Sequence, residues 1–512
     1  MEENIRMFKA YDIRTKVQAL GKEARAPLLS AIARYYAEDI RPKAVIVSRD
    51  ARLGCPSLME DLVEKLLSAG VDVCVNPLES STCHFYFMCM KNPDCGGIMI
   101  TASHNPKDYV GFKFVGLSSE PIASGCGRNG GINRIKEYYL ADKGFDASGG
   151  RGRLSCMSMQ KEYVEYSMKL AGVSPGSLRG MKIFAEFLSG SSGTDFLMAF
   201  SMAGAELHLS HFVPDGAFPS GDPNPIVESS IAPAREKMRN GGFDLGFCFD
   251  GDGDRLDLMF PDGSQIIPGL NMSAIADYIK PIFTPYYKTD ALKCFVDVKA
   301  IPLAVIEIAK SGLEPHIIRN GHSFIKEKLR EHRQYGYVVS EEESAHYYMN
   351  FPRDLLDPSQ GLVATENTLF FALLSARGFK EHKDRYDRIY ELQKHIFRYR
   401  EWPLNFKNPD AMEKIMDDVE NAMKSLGADV IKNMDDGSDL DAALMRFNLP
   451  GRLSSSTAFP SSWAQVAQRI SRSEDAMTRW EVVASSKELC ERYNDVIKSI
   501  ADEYVKSGDA YY

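Results

Sequence analysis

The chain has 512 residues, 44% hydrophobic and 26% charged, which is ordinary globular composition in a length that asks for three or four domains. Its formal net charge of −9 argues against nucleic acid as a partner, because phosphate backbones are held by Lys and Arg. No apolar run reaches bilayer length, and Met-Glu-Glu-Asn at the start lacks a basic and an apolar segment, so a cytoplasmic address without a membrane partner is expected.

In chain order, Phe8 to Arg14 alternates apolar and polar residues and reads as a first strand. Leu28 to Ile40 has helical spacing, Lys43 to Val47 reads as strand, Leu58 to Leu67 as helix stopped by Gly70, and Val71 to Val75 as the next strand. This alternation predicts a parallel sheet with helices on both faces. The apolar run Gly97 to Ile100 is a third strand, and it empties into Thr101-Ala-Ser-His-Asn-Pro106. Pro106 fixes its own φ and biases Asn105 away from helix, so Ser103 is expected on a tight turn at a strand's carboxyl end, where α/β proteins keep their chemistry. The Gly- and Ser-rich stretch from Ser118 to Gly152 closes this first unit.

A second unit follows, with strand Lys182 to Glu186, helix Phe196 to Gly204 and strand Phe243 to Phe249. That last strand runs into Asp250-Gly-Asp-Gly-Asp-Arg255. Carboxylates at every second position, separated by Gly, let the backbone curl so that Asp250, Asp252 and Asp254 converge on one hard cation. A calcium EF-hand is excluded, because Arg255 stands where its loop needs Gly and Pro261 where it needs Glu. A third unit has strand Cys294 to Val298, helix Ile301 to Ile308 and strand Gly336 to Val339, which feeds Ser340-Glu-Glu-Glu-Ser-Ala-His346. Beyond Arg377-Gly378 the chain becomes charged and helical, closing on a helix with Leu489, Tyr493, Ile497 and Ile500 on one face. The ten cysteines form no CxxC pairs, and Cys74, Cys248 and Cys294 lie in strand-like runs as small buried hydrophobes.

Thr101-Ala-Ser-His-Asn-Pro106 resembles the phosphoserine loop of the α-D-phosphohexomutases. Tyr109, Gly111, Phe112 and Lys113 resemble the segment that follows it in the phosphomannomutase/phosphoglucomutase branch, with Val110 in place of Asn. The opening segment through Arg14 and Ser48-Arg49-Asp50 are similar to family segments, with Thr15 in place of Gly. Asp250 to Arg255 resembles the family's magnesium loop without a departure. Gly321-His322 to Lys326 resembles its phosphate-facing loop, and Glu342, Ser344 and His346 its sugar-reading loop, with Glu341 and Ala345 in place of glycines. Arg469-Ile-Ser471-Arg472-Ser473-Glu474-Asp475 is similar to its phosphate loop, with Arg472 for Asn and Asp475 for Pro.

The resemblance implies three related α/β domains with mixed, mostly parallel sheets (1–152, 153–262 and 263–378) and a smaller α+β domain (379–512) around a central cleft. It implies interconversion of hexose 1- and 6-phosphates, of mannose or glucose, through a phosphoserine and a 1,6-bisphosphate. Ser103, His104, Lys113 and Arg14 are then catalytic, and Mg²⁺ is held by Asp250, Asp252, Asp254 and phospho-Ser103. Arg255, His322, Lys326, Glu342, Ser344, His346, Arg469, Ser471, Ser473 and Arg479 bind substrate, with Arg472 or Arg479 completing the phosphate loop. Glucose or mannose 1,6-bisphosphate is the activator, sugar phosphates are the partners, and the chain is a monomer or homodimer. Lys113 is the better proton carrier of the pair Arg14 and Lys113, since nearby cations lower a lysine's pKa while arginine stays protonated. In a chain of net charge −9, Arg14, Lys113, Arg255, Lys326 and Arg469 supply the local cationic cleft that a phosphate needs. Other readings are a phosphoglucosamine mutase, a catalytically dead sugar-phosphate-binding regulator, and a hydrolase using Ser103 with His104. The hydrolase is disfavoured because neighbours on a turn point apart and no Gly-x-Ser-x-Gly elbow is present.

Overall fold

The computed structural model describes residues 5–141, 150–288, 291–407, 409–471 and 476–512. Among these the strands are β1 (Ile13–Lys16), β2 (Val45–Arg49), β3 (Val73–Glu79), β4 (Gly96–Ile100), β5 (Tyr109–Val115), β6 (Pro121–Ile122), β7 (Leu154–Cys156), β8 (Lys182–Glu186), β9 (Glu206–Ser210), β10 (Leu245–Phe249), β11 (Leu256–Met259) and β12 (Gln265–Ile266). They continue as β13 (Leu292–Asp297), β14 (Leu313–Ile318), β15 (Tyr337–Glu341), β16 (Tyr347–Pro352), β17 (Leu362–Glu366), β18 (Phe397–Phe406), β19 (Asp429–Asn433), β20 (Asp439–Phe447), β21 (Ala464–Ile470), β22 (Met477–Ala484) and β23 (Ala510–Tyr511).

Four sheets result, and the first three repeat one topology. Their orders are β1-β5-β4-β2-β3-β7, β12-β11-β10-β8-β9 and β14-β13-β15-β16-β17. In each, three parallel strands (β4-β2-β3, β10-β8-β9 and β15-β13-β14) are joined at one edge by an antiparallel strand, respectively β5, β11 and β16. The connection into that strand is too short for a crossover, which needs a dozen residues or more, so the chain must turn back as a hairpin. This is why the first sheet is mixed rather than the parallel sheet that the strand and helix alternation suggested. The fourth sheet, β19-β20-β21-β22-β18-β23, is wholly antiparallel, and helices Pro409–Ser425 and Lys487–Ser507 share its core through Ile415, Val419 and Ile497.

The first sheet has its own core, whereas apolar contacts run unbroken from the second sheet (Ala185, Phe247) to the third (Val296, Val339). The opening segment differs from the expected strand: Lys9 N donates to Asp12 O and Phe8 bridges back to Ile13, so extended pairing starts only at β1. No helix among the described residues is long and apolar enough to cross a membrane.

Candidate active site

The hairpin turns that follow β4, β10 and β15 occupy the same place in their three sheets, and they hold Ser103, Asp250 to Arg255, and Glu342 to His346. They meet around a cavity of about 330 Å³. Ser103, His104, Arg14, Lys113, Asp254, Arg255, His322, Glu342, Ser344, His346 and, from β21, Arg469 line it.

The serine turn is built under strain and held from beneath. Ser103 has φ +52, in the left-handed region that a serine seldom adopts. Arg52, 1% exposed, donates from Nη2 to the carbonyls of Ser103 (2.6 Å) and Asn105 (2.7 Å) and from Nη1 to Pro106 (2.7 Å). Its Nε is fixed by Asp50 Oδ2 at 3.0 Å, and the same oxygen accepts from Thr101 Oγ1, which in turn accepts from Ser103 N at 2.8 Å. Sequence reading passed over Arg52 because a lone Arg after Arg-Asp-Ala reads as surface charge.

The strained φ also folds His104 onto Ser103, with Nδ1 3.2 Å from Oγ; the expectation that these neighbours point apart is therefore corrected. Burial, then the charges of Arg255 and Arg14, push the His104 pKa well below that of an ordinary imidazole, so its ring is neutral and able to accept the hydroxyl proton. Asp250 Oδ2 lies 3.2 Å from the same Oγ. This approach needs glycine, since a Cβ at Gly251 would fall 2.8 Å from the Ser103 carbonyl oxygen.

Asp250, Asp252 and Asp254 are fully buried. One oxygen of each lies within 4.8 Å of the others. Asp252 Oδ1 and Asp254 Oδ1 have no hydrogen-bond donor among the described residues, so the donor set fits a hard divalent cation. Burial and the neighbouring charges of Asp254 and Asp252 push the Asp250 pKa well up; burial acts on Asp254 too, but Lys113 and His346 hold its pKa well down. The loop is anchored from both sides, because Thr82 Oγ1 donates to Asp252 Oδ2 at 2.6 Å and Thr368 Oγ1 to Gly253 O at 2.7 Å.

Lys113 Nζ donates to Asp252 Oδ2 at 2.7 Å and also to Asp254 Oδ2. Burial disfavours its charge, but these carboxylates outweigh burial and raise its pKa. The reasoning that cations would lower this lysine's pKa is thus overturned, since carboxylates are what surround it. Arg14 is bound to Asp12 and Asn105. Lys326 also departs from expectation: it is 3% exposed, does not line the cavity, and donates to Tyr86 Oη and Glu366 Oε2, each at 2.9 Å. Lys9 and Lys299 line the cavity in its place.

Glu366 organises a second layer. Its Oε1 accepts from His346 Nδ1 at 3.0 Å, and Arg255 Nε donates to His346 Nε2 at 3.1 Å. A donor facing Nε2 requires the lone pair there, so His346 carries its proton on Nδ1. Burial disfavours the imidazolium, yet Asp254 and Glu366 raise the His346 pKa; protonation of Nε2 requires Arg255 to turn away. Glu342 is aimed by Asn320 Nδ2 (3.1 Å), Gly321 N (3.3 Å) and Tyr348 Oη. Ala345 keeps φ +70 in the position of the family glycine, so the turn survives the substitution. Glu341 sits at the end of β15, fully buried. Burial and neighbouring Glu343 push its pKa well up.

In the fourth sheet, Arg469 and Arg479 are direct cross-strand partners. Two like charges there would repel, but Glu401 on β18 accepts from Arg469 Nε (2.6 Å) and Nη2 (2.8 Å) and lies 3.5 Å from Arg479 Nη1. Glu401 thereby orients Arg469 from behind the cavity. Ser471 and Arg479 sit beside Arg469 without lining the cavity among the described residues, and Arg472 and Ser473 lie outside the described residues.

Residues 6–124 match a family model described as phosphoglucomutase/phosphomannomutase, alpha/beta/alpha domain I, and residues 161–263 match domain II. A phosphomannomutase of Escherichia coli is 32% identical over 363 residues, 70% of this chain and 75% of the relative. A phosphoglucomutase of Neisseria meningitidis serogroup A is 29% identical over 67% of this chain and 70% of its own length. The crystal structure of a phosphoglucomutase/phosphomannomutase family protein from Burkholderia thailandensis superposes with a TM-score of 0.74 over 97% of both chains, at 23% identity.

Proposed function

Because this chain belongs to the phosphoglucomutase/phosphomannomutase family, we propose that it interconverts the 1- and 6-phosphates of mannose, glucose or both through a phosphoserine at Ser103. The observation that carries the reading is the convergence of three equivalent hairpin turns, one each for nucleophile, carboxylates and sugar-facing Glu342, on one cavity that Arg469 closes. Phospho-Ser103 gives its phosphoryl group to the free sugar hydroxyl: the Oγ–P bond breaks, the sugar O–P bond forms, and the hydroxyl proton is taken by a base. The released Oγ takes up that same proton, and neutral His104, whose Nδ1 lies 3.2 Å from Oγ, is the group that would accept it from the sugar hydroxyl and pass it on. The bisphosphate then turns over in the cavity, and Ser103 takes the other phosphoryl group. Asp250, Asp252 and Asp254 are the residues that would hold Mg²⁺, which supplies charge neutralisation to phosphoryl transfer. Arg14, Lys113 and Arg255 orient the transferring group, and Arg469, Lys299 and His322 the far phosphate. Glucose or mannose 1,6-bisphosphate is the species that loads Ser103.

Four domains are part of this reading, 1–156, 157–266, 267–378 and 379–512, the first two seams moved from 152 and 262 because β7 and β12 complete their sheets. The test is kcat/KM for the 1-phosphates of mannose, glucose and glucosamine in one buffer. In this reading Glu342 and Ser344, both lining the cavity, contact hydroxyls near the sugar's pseudo-symmetry axis, which mannose and glucose share. The two should therefore differ by ~10²-fold or less, with glucosamine last because its ammonium meets a cationic cavity. Absence of turnover with all three would overturn the proposal, and glucosamine ranking first would overturn the sugar assignment.

A further inference from the structure

A second cleft, of about 440 Å³, opens on the seam between the first and third sheets. One wall is the turn Leu117–Ser119 between β5 and β6; the other is the end of helix His322–His332 together with the β16–β17 connection and the start of β17. Arg330, Arg333 and Arg353 line it, and no carboxylate does among the described residues. Arg330 is engaged by Glu327 at 2.6 Å and by Glu120 at 3.6 Å. The other two have no carboxylate within ion-pair distance among the described residues: Arg333 Nη1 donates to Leu362 O at 2.9 Å, and Arg353 Nη1 to Met90 O at 2.8 Å. Each guanidinium has five N–H donors, so most of the fork is uncommitted. Burial, then the charge of Arg333, depress the Arg353 pKa against the opposing charge of Asp94, so the two guanidinium groups repel each other across the cleft. Ser119, 5% exposed, also lines the cleft, and its Oγ has no hydrogen-bond partner.

In a chain of net charge −9, two arginines that face one cleft without an ion-paired carboxylate among the described residues are suited to receive an anion. We propose that this cleft binds a small phosphate ester, separately from the substrate in the active-site cavity. The paired guanidinium forks match phosphate oxygens, Ser119 Oγ adds a donor, and Tyr286 and Tyr287 offer ring faces to the organic part. The volume suits one small metabolite rather than a chain segment. Helix His322–His332 carries His322, which lines the active-site cavity, at its start and Arg330 in its last turn, so the two sites share one rigid element.

The test is a calorimetric titration of pyrophosphate into the wild-type protein, Arg333→Ala/Arg353→Ala and Arg469→Ala. Two binding events are expected in the wild type, with the first variant losing one and the second weakening the other. Arg333→Glu, a change at an exposed side chain, should lose the same event as the double variant, and mutase kcat/KM should stay within about twofold of wild type in both. Vesicles containing phosphatidic acid should not sediment the protein. A wild-type titration that the cleft substitutions leave unchanged would overturn the proposal, as would sedimentation with those vesicles that depends on Arg333.

Discussion

Arg52 Nη2 donates to the carbonyl oxygen of Ser103 at 2.6 Å, so the backbone of the proposed nucleophile is held by a side chain that reaches it from the turn after β2. Lysine has no fork to satisfy three carbonyls at once. Arg52→Lys should therefore lower kcat by ~10²-fold, the scale of a misplaced reacting atom, and cost about 1–3 kcal/mol for each buried acceptor left bare. Single-turnover kinetics and thermal melting check this; wild-type kcat would show that the turn keeps its shape without the clamp.

Asp252 is linked to Lys113, Thr82 and the carboxylate cluster at once. Asp252→Asn should weaken Mg²⁺ binding and turnover together, because one ligand charge is lost. EDTA should abolish wild-type activity and Mg²⁺ restore it. Activity unaffected by EDTA contradicts the metal assignment.

Glu366 fixes the His346 tautomer and holds Lys326. Glu366→Gln can present an N–H to Nδ1 and flip the tautomer, setting Nε2–H against Arg255 Nε–H. An outer-layer partner of this kind is worth ~10- to 100-fold in activity, and Glu366→Asp should recover part of it. The acid limb of the kcat/KM profile should move to lower pH, because the working form of His346 is the neutral ring that accepts from Arg255 and a charge that raises its pKa is gone. Unchanged kinetics and pH profile would reduce Glu366 to packing.

Burial, moderated by Arg398 and reinforced by Glu481, raises the Glu343 pKa from 4.5 to about 7, and burial raises that of Asp257 to about 6. A carboxyl that holds its proton more tightly folded than unfolded stabilises the fold fully at low pH. That contribution is lost as pH rises from the unfolded value through the folded one. The melting temperature should thus fall between pH 5 and 7.5, and Glu343→Gln should flatten that slope, by no more than ~3 kcal/mol. A melting temperature flat across this window in the wild type contradicts the burial argument.

The chemistry-bearing turns were legible in the sequence because each follows an apolar strand and carries groups that pack poorly, as Ser103 and Asp250 do. What stayed hidden was partnership. Lys326 and Arg52 look like surface cations until β17 brings Glu366 to one, and the serine turn brings carbonyls to the other. The His104 contact with Ser103 follows from one positive φ, which Ser-His-Asn-Pro does not announce. The mixed sheets came from the family resemblance and not from the strand and helix alternation, which pointed to a parallel first sheet because residue pattern reports burial and not strand direction. The fourth sheet's Glu401 acts across strands far apart in sequence, and pattern reading has no access to that.

The most direct test of the account is the phosphorylation state of Ser103. The protein, incubated with glucose 1,6-bisphosphate and digested, should yield the peptide containing Ser103 heavier by one phosphate. When that phosphoryl group is isotopically labelled, its label should pass to hexose phosphate on mixing with excess mannose 1-phosphate at a rate no slower than turnover. A Ser103 peptide that stays unmodified while the protein turns over substrate, or mutase activity surviving in Ser103→Ala, would contradict it.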